Sequence, residues 1–190
     1  VKPPGMLSQA TGEGTPGDVL PDVVKAYLKA KYDKPGNVFL GIVHRLDRPV
    51  GGAMVFARTS KAASRLSDQI RSRTFSKTYL AVLDGVPQAT EGHLVDWLAK
   101  DAGTNTSRVT EEDTPGAKKS SLHYRLLETS GGLSLVQIEL ETGRPHQVRV
   151  QFASRNLPLA GDRRYGRPGA IAKFATVALW CQRLAFEHPT

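Results

Sequence analysis

Between Asp18 and Tyr32 the apolar positions Leu20, Val23, Val24, Tyr27 and Leu28 recur three and four residues apart, with Lys25, Lys29 and Lys31 between them. That spacing predicts an amphipathic helix. The next apolar run, VFLGIV at 38–43, is short and unbroken, which predicts a strand buried on both faces; AMVFAR at 53–58 predicts another. Residues 59–72 open with the hydroxyls of Thr59 and Ser60 and set Ala63, Leu66 and Ile70 on one face, as in a capped helix. KTYLAVLDG at 77–85 predicts a strand, and TEGHLVDWLAK at 90–100 a strand pair. Residues 101–121 are polar throughout and predict a long loop, of the kind that carries function in compact domains. LHYRLLE at 122–128 and LSLVQIELE at 133–141 predict paired strands, because Val136, Ile138 and Leu140 alternate with Gln137, Glu139 and Glu141. A turn at TGRP (142–145) leads into a helix with Val148 and Phe152 one turn apart. LPLAGDRRYGRPG (157–169) predicts a basic loop, and 176–188 returns to strand-like alternation.

Charge narrows the class. Lys and Arg number 26 against 18 Asp and Glu, a net charge of +8, which favours a polyanionic partner. The lone Cys181 excludes an intramolecular disulfide and a cysteine zinc cluster, and points to a reducing compartment. No run approaches the roughly 18 apolar residues of a membrane-spanning helix, so no membrane partner is expected. The chain opens at Val1 directly before KPPG and stops at EHPT, so both ends are expected to be trimmed, with a first strand or accessory domain beyond them.

Several candidate constellations are weak. GEGTPG at 12–17 spells G-x-G-x-x-G, but no apolar strand precedes it and Pro16 removes a backbone amide that a phosphate would need. His44, His146 and Cys181 lie far apart in sequence, without the local spacing of a hydrolytic zinc site, so no metal is expected. Glu139 and Glu141 sit two apart on one predicted strand, where a wet sheet face accounts for both. TEEDTP at 110–115 fits a solvated loop.

Two segments stand out. In HRLDRPVGG, Asp47 follows an apolar run and precedes a turn made pliable by Gly51 and Gly52; it is either half of a structural ion pair or a positioned nucleophile or base. In TGRPHQVRV, Arg144 and Arg149 project from a turn and the helix it starts, and a guanidinium can hold a carboxylate ionised through two parallel hydrogen bonds. A pairing of Arg149 with Asp47 would keep the acid charged and fixed in direction.

His44-Arg45-Leu46-Asp47, Lys77-Thr78-Tyr79 and Thr142-Gly143-Arg144-Pro145-His146-Gln147-Val148-Arg149 occur in this order, and together they resemble the motifs of the RluA-type RNA pseudouridine synthases. The resemblance runs from KPPG to FEHP. It departs at Val50-Gly51-Gly52, where the family often has Thr-Ser-Gly, and at Leu179-Trp180-Cys181. It implies an α+β domain over 1–190 with a long, mostly antiparallel mixed sheet, flanking helices and a central catalytic cleft. It also implies isomerisation of uridine to pseudouridine in ribosomal or transfer RNA, without a cofactor, by a cytoplasmic monomer.

By the same resemblance Asp47 is the catalytic carboxylate, which attacks C1′ of the ribose or adds to the pyrimidine ring, Tyr79 stacks on the flipped base and helps remove the C5 proton, Arg149 pairs with Asp47, and Arg45 fills the gap left in the RNA. His44, Arg48, Arg144, His146 and Gln147 are expected to meet the substrate. Arg71, Arg73, Lys77, Lys118, Lys119, Arg155, Arg163, Arg164 and Arg167 are expected to hold RNA phosphates. Two rivals stay open: a silent RNA-binding module, and a glycosidase-like enzyme, which would need a second carboxylate beside Asp47.

Overall fold

A computed structural model describes residues 1–10, 17–167 and 174–190; most of the Gly-rich segment at 12–17 and the end of the basic loop at 157–169 lie outside the described residues. The chain divides into two compact units, one formed by Val1–Ser76 and Leu184–Thr190, the other by Lys77–Arg183.

In the first unit, α1 covers Leu20–Lys31 as the spacing predicts. The short strands β1 (Gly41–Ile42), β2 (Gly51–Gly52) and β3 (Phe56–Ala57) follow. β1 pairs only with β3, in a two-stranded ribbon. VFLGIV is therefore not a strand buried on both faces: Phe39 and Ile42 are exposed, while Val43 packs inward. The physical reason is that the ribbon packs on α2 (Ser60–Arg71) through Val43 and Ala57 against Leu66 and Ala63, a cluster to which Phe39 and Ile42 do not belong. The Thr59 hydroxyl accepts from the Ala62 amide and caps that helix. Ala57, Leu66 and Phe75 form the unit's core, with Ala63, Ile70 and Leu184 against it.

The second unit is a sheet ordered β9-β4-β8-β7-β5-β6, from β4 (Ser76–Asp84), β5 (Glu91–Asp101), β6 (Thr106–Thr110), β7 (Lys118–Ser130), β8 (Leu133–Leu140) and β9 (Leu179–Ala185). The pairings β4–β8, β8–β7, β7–β5 and β5–β6 are antiparallel, so the architecture is α+β with a mostly antiparallel sheet. Gly131 and Gly132, at φ 57° and 79°, supply the two left-handed residues that a tight β7–β8 hairpin requires.

Two expectations in this unit are corrected. Residues 90–100 form one long strand, not a pair, and the polar stretch 101–121 is not a loop but holds β6 and the start of β7. Hydrogen bonds replace apolar burial there: the Ser107 amide donates to the Tyr165 hydroxyl at 2.8 Å, and the Ser107 hydroxyl to the Pro145 carbonyl at 2.9 Å. Helix α3 (Gln147–Ala153) is short and almost wholly buried. Phe152 meets the edge of Tyr124 at 5.5 Å, and the Gln151 amide donates to Asp96 on β5 at 2.7 Å. No helix among the described residues is long and apolar enough to cross a membrane.

Candidate functional site

In the first unit, a hydrogen-bonded frame builds the turn that carries Asp47. The Val50 amide donates to the Asp47 carbonyl at 3.0 Å, closing the turn over residues 47–50. Lys2 is fully buried beneath it, and its ammonium donates to the carbonyls of Val50 at 2.7 Å and of Arg48 and Pro3 at 3.1 Å. Burial lowers the Lys2 amine to about 8, partly offset by the negative charge of Asp47. Ser8 fixes the residue before the acid from both sides: its hydroxyl accepts from the Leu46 amide at 3.1 Å and donates to the Leu46 carbonyl at 2.6 Å. Asp47 itself is half-buried.

The neighbouring cations are local fasteners in part. Arg48 is exposed and its Nε donates to the Gly5 carbonyl at 2.9 Å, while Arg45 reaches Gln9 at 3.2 Å. His44 is buried, with Nε2 accepting from the Val55 amide at 3.0 Å. Arg71 pairs with Asp68 at 3.1 Å on the helix surface, and exposed Arg73 holds a left-handed backbone, φ 63°, just beyond the helix end.

The second unit brings the other two motifs together. Tyr79 lies on β4 opposite Ile138 and is 6% exposed. Lys77, two residues earlier, has its Nζ 3.4 Å from where a Cβ on Gly143 would stand, so it lies beside the TGRP turn. Burial lowers its pKa, with Cys181 acting in the opposite sense. Gln147 ties that turn. Its Oε1 accepts from the Thr142 hydroxyl at 2.8 Å and the Arg144 amide at 3.0 Å, and its Nε2 donates to the Ser121 carbonyl at 3.0 Å. Arg144 Nε donates to the Lys119 carbonyl at 2.9 Å. His146 enters the helix in a left-handed conformation, φ 55°, with Nδ1 2.7 Å from the Tyr165 hydroxyl.

Arg149 carries an acid partner that was passed over in sequence. Its Nε and Nη2 donate to Asp162 Oδ2 and Oδ1, both at 2.7 Å. Oδ1 also accepts from the amides of Arg164 and Tyr165 at 2.9 and 3.1 Å. Burial pushes the Asp162 carboxyl up, but Arg149 and these amides outweigh it and leave it below the ordinary value. The Tyr165 ring lies 5.1 Å from the guanidinium. Asp162 hides among arginines in LPLAGDRRYGRPG, and no periodicity marks it. Of the basic residues expected on RNA, Arg163 and Arg164 are exposed. Arg155 instead makes a two-pronged pair with Asp96, at 2.9 and 3.1 Å.

A third grouping was also missed. His93, His123 and Glu141 cluster on the exposed face of β5, β7 and the end of β8, with ligand atoms all within 4.8 Å of one another. Hydrogen bonds from Ser121 and His123, with the nearby charge of His93, hold Glu141 down at about 2. The sequence separations, thirty and eighteen residues, conceal what the strand register aligns.

A family model for RNA pseudouridylate synthase matches residues 1–154. The chain is 31% identical over 99% of its length to an uncharacterized RNA pseudouridine synthase of Synechocystis, covering 58% of that protein. It is 35% identical over 98% of its length to a ribosomal large subunit pseudouridine synthase D of Xylella fastidiosa, covering 54% of it. It thus spans little more than half the length of these relatives. The solved structure of human RNA Pseudouridylate Synthase Domain Containing 4 shares the fold, with a TM-score of 0.80 at 20% identity over 97% of this chain and 78% of that one.

Proposed function

The chain belongs to the RNA pseudouridylate synthase family, and on that footing we propose that it isomerises uridine to pseudouridine in RNA, with Asp47 as the reacting carboxylate. The observation that carries this is the construction around the motifs: Lys2 and Ser8 frame the Asp47 turn, and Asp162 fixes Arg149. Such rigidity is what a reaction needs when its gain comes from positioning.

The reaction breaks the N1–C1′ bond, turns the uracil and joins C5 to C1′. N1 gains a proton and C5 loses one, with no net redox change. An ionised acid, a cation and an aromatic face serve this, with Tyr79 helping to take the C5 proton on to solvent. Asp47 attacks C1′ or adds to the ring. Arg149 supplies the positive charge that keeps the acid ionised. Tyr79 stacks on the base, a contact of about 1–3 kcal/mol, after the uridine is extruded from the RNA and Arg45 takes its place. Arg163, Arg164, Arg71 and Arg73 meet phosphates. The names of the large-subunit relatives support ribosomal RNA as the first substrate class and, with it, a cytoplasmic setting; a monomer is the working assumption.

The test is tritium release from RNA carrying 5-tritiated uridine, with ribosomal and transfer RNA supplied separately. Release by the native chain and none by Asp47→Asn supports the assignment, and the responding pool gives the substrate class. Equal release by both proteins refutes the role of Asp47. RNA binding without release by either favours a silent module, and free uracil a glycosidase.

A further inference from the structure

The outer face of the β5–β7–β8 sheet carries a grouping that the proposed isomerisation does not use. His93 and His123 are direct cross-strand partners, and Glu139 stands opposite His123 on the next strand, with Glu141 two residues on. Residues two apart on a strand share a face, so all four side chains leave the sheet on the same side. His93 Nε2 lies 3.4 Å from Glu141 Oε2, and His123 Nε2 lies 3.0 Å from Oε1. The two rings stack at 4.1 Å, 10° from parallel. We propose that His93, His123 and Glu141 together bind one divalent transition-metal ion, Zn²⁺ first among them, as a surface site separate from the chemistry of Asp47.

The donor set fits that class of ion. Two imidazole nitrogens and one carboxylate oxygen suit zinc and its neighbours, whereas Mg²⁺ and Ca²⁺ prefer all-oxygen surroundings. The spacing fits as well. An ion about 2.1 Å from each donor, in tetrahedral geometry, wants donor atoms roughly 3.4 Å apart; His123 Nε2 stands 3.0 Å from Oε1 and His93 Nε2 3.4 Å from Oε2, and one donor atom of each residue lies within 4.8 Å of the other two.

The scaffold is rigid where it matters. His93 and His123 are held in the β5–β7 ladder, and Glu141, one residue past β8, is tied by its amide to the Ser121 carbonyl at 3.2 Å. The Ser121 hydroxyl donates to Glu141 Oε2 and orients the carboxylate, the outer support that metal ligands commonly require. An open depression of about 640 Å³, lined in part by His93, His123 and Glu139, gives an ion access and leaves room for water ligands. An ion on both Nε2 atoms displaces any proton there, and each bound ring keeps its hydrogen on Nδ1. The rings must tilt out of their stack so that both Nε2 lone pairs converge. The side chains are 43% and 52% exposed, which leaves them room to rotate.

The test uses the whole chain stripped of metal. Calorimetric titration with Zn²⁺ measures stoichiometry and affinity, Co²⁺ absorption reports coordination, and long-range ¹⁵N histidine spectra identify the nitrogens involved. The expected result is one tight ion per chain, undisturbed by excess Mg²⁺, with shifts at Nε2 of His93 and His123. His93→Ala and His123→Ala each weaken binding by about tenfold or more, and Glu141→Gln, which keeps the side-chain shape, does the same. Circular dichroism checks that each variant is folded. Absence of saturable binding overturns the proposal, as does binding that survives both histidine variants or shifts the spectra of His44, His146 or His188 instead. None of these readouts depends on isomerase activity, so failure here leaves the functional proposal intact.

Discussion

Arg149 and Asp162 form a buried, two-pronged ion pair: both hydrogen bonds are 2.7 Å, and the residues are 5% and 1% exposed. Two of the five N–H donors of the guanidinium are spent on this acid. The pair is stabilising only as a pair, since removing one member of a buried pair strands the other's charge at about 3–5 kcal/mol. Asp162→Ala is expected to lose that much in urea unfolding at neutral pH. Because the Asp162 carboxyl lies below its unfolded value of 3.8, its contribution is fully present above that value and is lost as pH falls through the lower folded value. The gap between native and variant should narrow in that acid range; a gap constant with pH would contradict the pairing.

Lys2 gives a slope of the same sign for a different reason: here burial penalises the charged form. Its folded pKa is about 8 against 10.5 in the open chain. Between those values the unfolded chain holds more protons, so stability rises with pH there, and the full cost of burying the charge applies below about 8. Unfolding curves from pH 7 to 11 should show the native chain gaining on Lys2→Met across this window. A difference independent of pH would mean that the amine is not charged and buried as described.

Gly161 precedes Asp162 with φ +72°, and a side chain there would run into the Thr176 carbonyl and the Cβ of Phe174. The left-handed backbone alone costs a substituted residue roughly 1–2 kcal/mol. Gly161→Ala should therefore destabilise by about 2 kcal/mol or more, read from a denaturant midpoint. A neutral outcome would show that the segment can move aside.

On the isomerase reading, exposed Arg163 contributes to RNA affinity through phosphate. Arg163→Glu should weaken binding similarly across RNA sequences and lower the slope of log affinity against log salt by about 1. Arg155, engaged by Asp96 on both prongs, should leave the slope unchanged when reversed, while destabilising the fold. Equal slopes for the two variants would remove the distinction, and filter binding at several salt concentrations suffices to measure it.

Helical spacing and strand alternation made α1, α2, β4, β7 and β8 legible; apolar burial governs the last four, whereas α1 keeps the spacing but buries only Leu20 and Pro21. β6 was illegible for the converse reason: Thr106–Thr110 is held by hydrogen bonds to Tyr165 and Pro145. VFLGIV misled because an apolar run records what a segment can bury, not how many partners flank it. At the candidate site, motif residues were visible one by one, but their supports were not. Lys2 belongs to no periodic segment, Asp162 lies in a basic stretch, and His93 and His123 have no local spacing to reveal them. Long-range register, which sequence does not display, brings each to its task.

Leu184 packs against Ala57, Leu66 and Phe75, and Gln69 exchanges hydrogen bonds with Glu187 across 118 positions of chain. On a ribosome, residues 1–76 emerge before 184–187. The earlier segment therefore waits, with part of its core uncovered, until residues 184–187 have left the exit tunnel. The meander of β5 to β8 closes through neighbours in sequence and can assemble meanwhile. The segment bearing Asp47 is made early and finished late, and the interval between is when a nascent chain would depend most on protection by chaperones.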